Sequence, residues 1–275
     1  MVRAAKLLQA HVLLCVSLAA GCSSRNGDPP AVVVSTPVGS GSRIRQITNP
    51  AAPTHPTDKE PTGPHPKVTI TGASFIWLDT YDETHDGKSR GSVYVQDVGS
   101  SAPYSGVSVF KPAYVPADLR VAPGDVLDFT GPYEELINIG SAMFDPGNVL
   151  PQLSGPVVTF RYEYTVPTPT VINPKDLETY ATGRQWMSML VTVPNVTIEV
   201  FQGDASGRVT ARTTLDPSEN GWSITNELMP IAQGDKNKVP GADYAAGQTF
   251  KSVTGIVTWF LGYHIAPRTP DDLVE

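Results

Sequence analysis

Pro123-Gly124-Asp125-Val126-Leu127-Asp128-Phe129-Thr130-Gly131 reads as a turn feeding a strand that closes on Thr-Gly. Pro-Gly is a type II turn signal, and the β-branched and aromatic residues behind it suit a half-buried pleated strand. The pattern returns as Ala246-Gly247-Gln248-Thr249-Phe250-Lys251-Ser252-Val253-Thr254-Gly255. Around the first copy lie more runs of the same kind: Val68 to Thr71, Ser74 to Leu78, Ser92 to Gln96, Gly106 to Phe110 and Val157 to Tyr164. Gly, Pro, Asp or Ser punctuates each run, and no stretch carries a sustained helical period. With 24 Gly and 26 Pro in 275 residues, long helices have little room. Many short strands between turns specify an all-β chain, a sandwich or barrel.

The echo extends outward. Val193 to Phe201, a polar turn at Gln202 to Gly207 and Arg208 to Thr213 form a strand–turn–strand like the one around Asp82 to Gly87. Val171-Ile172-Asn173-Pro174-Lys175-Asp176-Leu177 matches His264 to Leu273. In both, a capping residue precedes a proline at the first helical position, Asn173-Pro174 and Thr269-Pro270, and Asp176, Asp271 and Asp272 fall where a helix dipole favours carboxylates. Short helices are expected there. A duplication follows, divided near Glu178 to Gly183, with one β unit over 67–180 and another over 181–275.

These units resemble the OB-fold-like modules of bacterial secreted and surface proteins, some attached to extracellular nucleases and phosphoesterases. The residues that carry the resemblance are Thr80 to Lys88, Gly91 to Asp97, Val121 to Leu127 and Ala266 to Leu273. The resemblance implies two tandem OB-like Greek-key barrels with short helices. It brings no catalytic residues, because the OB module is a binding scaffold and fold does not fix function.

The N-terminus resembles a bacterial lipoprotein signal. Arg3 and Lys6 precede an apolar core, Val12 to Ala20, and Leu18-Ala19-Ala20-Gly21-Cys22 stands where the lipobox would be, with Ala19 at the position usually held by Leu. The apolar run is shorter than the roughly 20 residues a membrane span requires. The resemblance implies cleavage after residue 21 and covalent lipid on Cys22, and Ser23 in place of Asp points to the outer membrane of a Gram-negative bacterium. Cys15 is the other cysteine, so the mature body is expected to hold no disulfide or thiol site. Residues 22–66 are rich in Pro, Gly, Ser and Thr and read as a disordered tether reaching about 35 Å. His55 and His65 fall in it as solvated spacer residues.

Chemical motifs are sparse. Asp82, Thr84 and Asp86 before Gly87 approximate the start of a calcium loop, the one metal candidate. Thr84 stands where Asp or Asn is usual, and Val93 occupies the position of the closing Glu. A polar hairpin turn explains the same residues. No G-x-S-x-G elbow, Walker loop or HExxH occurs, so no catalytic residue is assigned and no cofactor beyond the lipid is implied. The adjacent pairs Glu134-Glu135 and Asp271-Asp272 are unlike the opposed carboxylates of glycosidases.

From Lys67 onward there are 14 Lys and Arg against 24 Asp and Glu, a net of −10, which argues against nucleic acid. Ligand contact is assigned to Trp77, to Trp222 as the most exposed tryptophan, and to Arg268. The sequence thus reads as a cell-envelope lipoprotein carrying a non-catalytic binding module for a protein or carbohydrate. A secreted nuclease or phosphoesterase-type enzyme, or its accessory subunit, is the alternative.

Overall fold

The computed structural model describes residues 39–56, 64–79, 91–139, 142–202, 208–213, 222–229 and 246–275. They build a chain that is mostly strand with few helices. The first sheet comprises β1 (Lys67–Leu78), β2 (Val93–Asp97), β3 (Gly106–Phe110), β4 (Ala113–Val115) and β5 (Val126–Leu136), followed by β8 and β9. Between them β6 (Asn138–Ile139) and β7 (Ala142–Met143) make a small hairpin, and β8 is Leu150–Ser154 and β9 Val157–Tyr162. Five strands close on themselves in the order β1-β2-β3-β8-β5, with β5 returning to β1. Every neighbouring pair is antiparallel except β3 and β8, which are parallel. This is a closed five-stranded barrel, and β5 also leads out of it to β9 and the edge strand β4.

Alternation sets which side chains fill it. Phe75, Val93, Val95, Val107, Val109, Leu127, Phe129 and Leu153 are buried together, and Tyr133 is fully enclosed. Mid-strand, Gly72 takes a left-handed φ of 67°, and the β1–β5 register shifts between Ile70 and Ala73. Asp128 on β5 ties down this bulge. It accepts from the Thr71 hydroxyl at 2.9 Å, the Gly72 N–H at 3.1 Å and the Arg161 guanidinium at 2.5 Å.

The second sheet comprises β10 (Thr170–Val171), β11 (Leu190–Gln202), β12 (Arg208–Thr213), β13 (Trp222–Ile224), β14 (Thr249–Trp259), β15 (Tyr263–Ala266) and β16 (Leu273–Val274). Its pairings repeat the cycle: β11-β12-β13-β15-β14, with β14 returning to β11 and β13 parallel to β15. The two sequence echoes fall at the same places in the cycle. β5 and β14 follow turns at Gly124 (φ 101°) and Gly247 (φ 83°), and the β1–β2 and β11–β12 hairpins correspond. Asn195, at φ 54°, is the left-handed residue of β11 where β1 has Gly72.

Two boundaries differ from the sequence reading. The sheets change over between Tyr162 and Thr170, earlier than the division at 180/181, because β10 pairs with β11 and Ile172 and Leu177 enter the second core. Residues 171–177 therefore open the second unit, whereas 263–266 form a barrel strand. Their likeness is local: a strand end running into a proline. Of the two expected caps, Asn173 accepts from the Lys175 N–H at 3.0 Å, and the Thr269 side chain makes no capping bond.

The second difference is larger. Residues 39–56, read as disordered tether, are ordered. Ser42 bridges Ile70 in parallel, and the helix α1 (Ile44–Thr48) follows. Ile44 (0% exposed) and Ile47 (3%) enter the first core. The buried Asp97 carboxylate caps α1, accepting from the Ile44 and Arg45 N–H groups at 2.8 and 3.2 Å and facing Arg43 Nε at 3.2 Å. Segment-wide composition conceals this, because two isoleucines at i and i+3 make one helical face that only the folded barrel can bury. The same plan opens the second unit, where a parallel β10 precedes a 3-10 turn (Pro174–Leu177) and α2 (Tyr180–Gly183). Residues 1–38 and 57–63, with the rest of the expected signal and tether, lie outside the described residues.

Candidate functional site

A groove of about 400 Å³, open to solvent on one side, lies at one end of the first barrel. Leu78 at the end of β1, Gly91 and Val93 at the start of β2, and Lys111 and Pro112 after β3 line it. Tyr114 on β4 and Leu119, Arg120 and Val121 in the loop toward β5 complete it. The hollow is shallow, more open to solvent than enclosed. Its walls are aliphatic, with Leu78 39% exposed, and its charged groups are cationic. Lys111 holds a left-handed backbone, φ 50°, directly before Pro112. A non-glycine residue pays about 1 kcal/mol or more for that conformation, and proline disfavours compact backbone in the residue before it. Its ammonium stands 4.9 Å from the Phe110 ring centroid. Burial pushes the Tyr114 phenol above its ordinary range, so it remains a protonated donor at neutral pH.

A second concentration of polar groups joins the barrels. Glu135 on β5 accepts from Arg184 Nη2 at 2.5 Å and from the buried Tyr133 hydroxyl at 3.2 Å. Arg184 lies in the 3-10 turn Arg184–Trp186 after α2, with its guanidinium 5.9 Å from the Tyr180 ring. Burial, together with the Glu135 charge, pushes the Tyr133 phenol far up, so it acts as a neutral donor. Tyr180 donates to the Val149 carbonyl at 2.8 Å and accepts from the Val149 N–H at 2.9 Å. The two histidines expected as solvated spacers are structural here: His55 Nε2 stands 3.7 Å from Glu135 and His65 Nε2 3.6 Å from Glu134. His55 Nδ1 donates to the Ile47 carbonyl at 2.5 Å. These contacts, with Arg184 recruited across 49 residues, make a clasp rather than an open site.

The barrels also meet through an apolar cluster of Ile76 and Tyr94 with Leu190, Leu228, Ile256 and Ala266. Beside it Gln96 accepts from the Leu190 N–H at 3.0 Å, and the Tyr104 N–H donates to the Gln185 carbonyl at 2.7 Å. A Cβ on Gly106 would lie 2.5 Å from the Ser188 carbonyl carbon. The outward face of β2 and β3 is therefore covered by the segment entering the second barrel.

The residues assigned from sequence are scattered. Trp77 is half-buried against this junction cluster. Trp222, expected to be the most exposed tryptophan, is 5% exposed inside the second core, since β13 turns it inward beside Ile224 and Trp259. Arg268 is engaged by Asp272, with Nε at 2.9 Å and Nη2 at 2.8 Å from its carboxylate. Cys22 and the Asp82, Thr84 and Asp86 turn lie outside the described residues. Among the described residues no group of three or more His, Cys, Asp or Glu is placed to hold a metal ion, and no helix is long and apolar enough to cross a membrane. The groove was missed in sequence because Lys111, Tyr114 and Arg120 are spaced singly. Lys111 before a proline predicts extended backbone, so its left-handed φ was not legible either. Compared with known proteins, the sequence matches no family and no curated protein.

Proposed function

We propose that the chain is a lipid-anchored protein of the bacterial cell envelope whose folded part, two fused OB-like barrels, serves as a non-catalytic binding module. The observation that carries this is the order of strand pairing. Both cycles run first-second-third-fifth-fourth with a parallel third–fifth contact, the Greek-key order of an OB-type barrel. Such barrels bind ligands at their rims and loops, and the groove beside β1, β2 and β3 is a rim of this kind. The Val12 to Ala20 apolar run ahead of Cys22 supports export and lipid attachment at Cys22, with the outer membrane as destination.

Fractionation of a Gram-negative host tests the anchor. The wild-type chain should enter the outer-membrane fraction and incorporate labelled palmitate, and Cys22→Ser should be soluble and unlabelled. Equal partition of both chains would remove the anchor. For the module, the purified chain should not turn over DNA or a chromogenic phosphodiester, and turnover that scales with protein concentration would favour the phosphoesterase-type alternative.

A further inference from the structure

We propose that the groove between Leu78, Tyr114 and Arg120 binds a small organic anion, a phosphate or carboxylate carried on a short apolar body. This rests on the binding-module reading and names its ligand class. The first support is charge pairing. Arg43, Arg161, Arg184 and Arg268 are each held by an aspartate or glutamate. Arg120 and Lys111 have no carboxylate partner among the described residues, and both are exposed on the rim of one groove. Asp118, two residues before Arg120, forms no ion pair with it. In a chain of net charge −7, two cations on one concave surface with no carboxylate partner among the described residues form a local exception to the overall field.

The second support is the chemistry of the walls. A guanidinium presents a fork that matches carboxylate and phosphate oxygens, an ammonium adds a point charge, and the Tyr114 hydroxyl is a third donor. Leu78, Leu119 and Val121 supply an apolar wall that water alone does not satisfy. A bare inorganic anion would leave that wall wet, and a neutral hydrocarbon would leave the cations unused. An amphiphilic anion satisfies both. The third support is the Lys111 backbone, whose left-handed turn before Pro112 keeps a lysine on the rim at a position where glycine would be unstrained.

The test uses the full-length Cys22→Ser chain, so that no lipid anchor intervenes. Titration calorimetry with hexyl phosphate and with hexanoate should give saturable binding that weakens with added salt, and hexanol should give none. The double variant Lys111→Ser with Arg120→Ser should weaken binding by about tenfold or more, since each lost contact is a charge-assisted hydrogen bond. Lys67→Ser, an exposed cation away from the groove, should change nothing. Sedimentation with phosphatidylglycerol vesicles separates the sources. Co-sedimentation lost in the double variant identifies a lipid headgroup, and binding confined to hexyl phosphate or hexanoate identifies a free anion. Equal binding by wild type and double variant, or no binding of either soluble probe, overturns the site while leaving the module reading in place. Release of inorganic phosphate from hexyl phosphate overturns the non-catalytic reading instead.

Discussion

Ile44→Ala tests whether the Pro-rich N-terminal segment belongs to the first barrel. Ile44 is fully buried, and α1 sets it among Ile70, Val95, Val107 and the other residues of the first core. Replacing isoleucine by alanine removes three carbons, about 2.4 kcal/mol of transfer free energy at ~0.8 kcal/mol per methylene. A residual cavity of roughly 50 Å³ would add about 1 kcal/mol at ~24 cal/mol per Å³. The expected loss is therefore about 3–4 kcal/mol. In a folded unit of this size that corresponds to a fall of roughly 6–16 °C in Tm. Circular dichroism melts and urea titrations of the full chain measure it. Pro53→Ala, at an exposed site nine residues on, should stay within about 0.5 kcal/mol. A tether would give no difference between the two variants. An Ile44→Ala loss below about 1 kcal/mol, with the Pro53→Ala control flat, would refute the assignment of this segment to the core.

Gly106→Ala places a Cβ against the Ser188 backbone, so it should destabilise the fused pair by about 1–3 kcal/mol, read from urea unfolding; an unchanged midpoint would mean that the barrels are not in contact there. Arg184→Ala should cost about 3 kcal/mol by leaving the largely buried Glu135 carboxylate without its main partner, and Arg184→Ala with Glu135→Gln together should cost less than the sum of the singles. Strict additivity in that cycle would deny the clasp. Burial raises the Asp97 carboxyl pKa despite Arg43 and the two α1 N–H groups, so the folded state holds this proton more tightly than the unfolded chain. Its contribution to stability then falls as pH rises from about 3.8 through the raised value and is constant above it. Against an Asp97→Asn reference, urea titrations between pH 3 and 7 should show that slope, and a rise over the same window would contradict it.

How much could be read from the residues follows from where each signal lives. Strand runs such as Val93-Tyr94-Val95 and Val107-Ser108-Val109 carry their own period of two, and turn glycines such as Gly124 announce a left-handed backbone, so the all-β class and the repeated β5-type hairpin were legible. Ile44 and Ile47 were not. A five-residue helix has no stability of its own and exists because the barrel buries one face and Asp97, 53 residues away, caps its start. The same long-range dependence hid the site. Trp222 sits in a stretch of Ser, Glu, Asn and Gly, and its neighbours suggested exposure, but strand alternation and the second core decide its position. Arg268 is the opposite case: pairing with a nearby carboxylate was legible beside the ligand assignment, and a single 3-10 turn brings Asp272 round to meet it.

The junction also constrains where a ligand can reach the first barrel. Tyr94 and Gln96 on β2 and Gly106 on β3 face outward, the side on which an isolated barrel of this order would present stacking or hydrogen-bonding groups. Here Leu190, Ile256 and Ala266 bury Tyr94, the Leu190 N–H occupies the Gln96 carbonyl, and the Ser188 backbone closes over Gly106. Opening that face would expose an apolar cluster and break the Arg184–Glu135 pair, so it is not a low-cost motion. The covered region is the middle and far end of β2 and the start of β3. At the opposite ends of these strands, Leu78 and the residues after Phe110 remain at the surface and frame the groove with Lys111 and Arg120. Fusion of the barrels thus removes the broad face as a binding surface and leaves the rim, where apolar walls coincide with cations that have no carboxylate partner among the described residues.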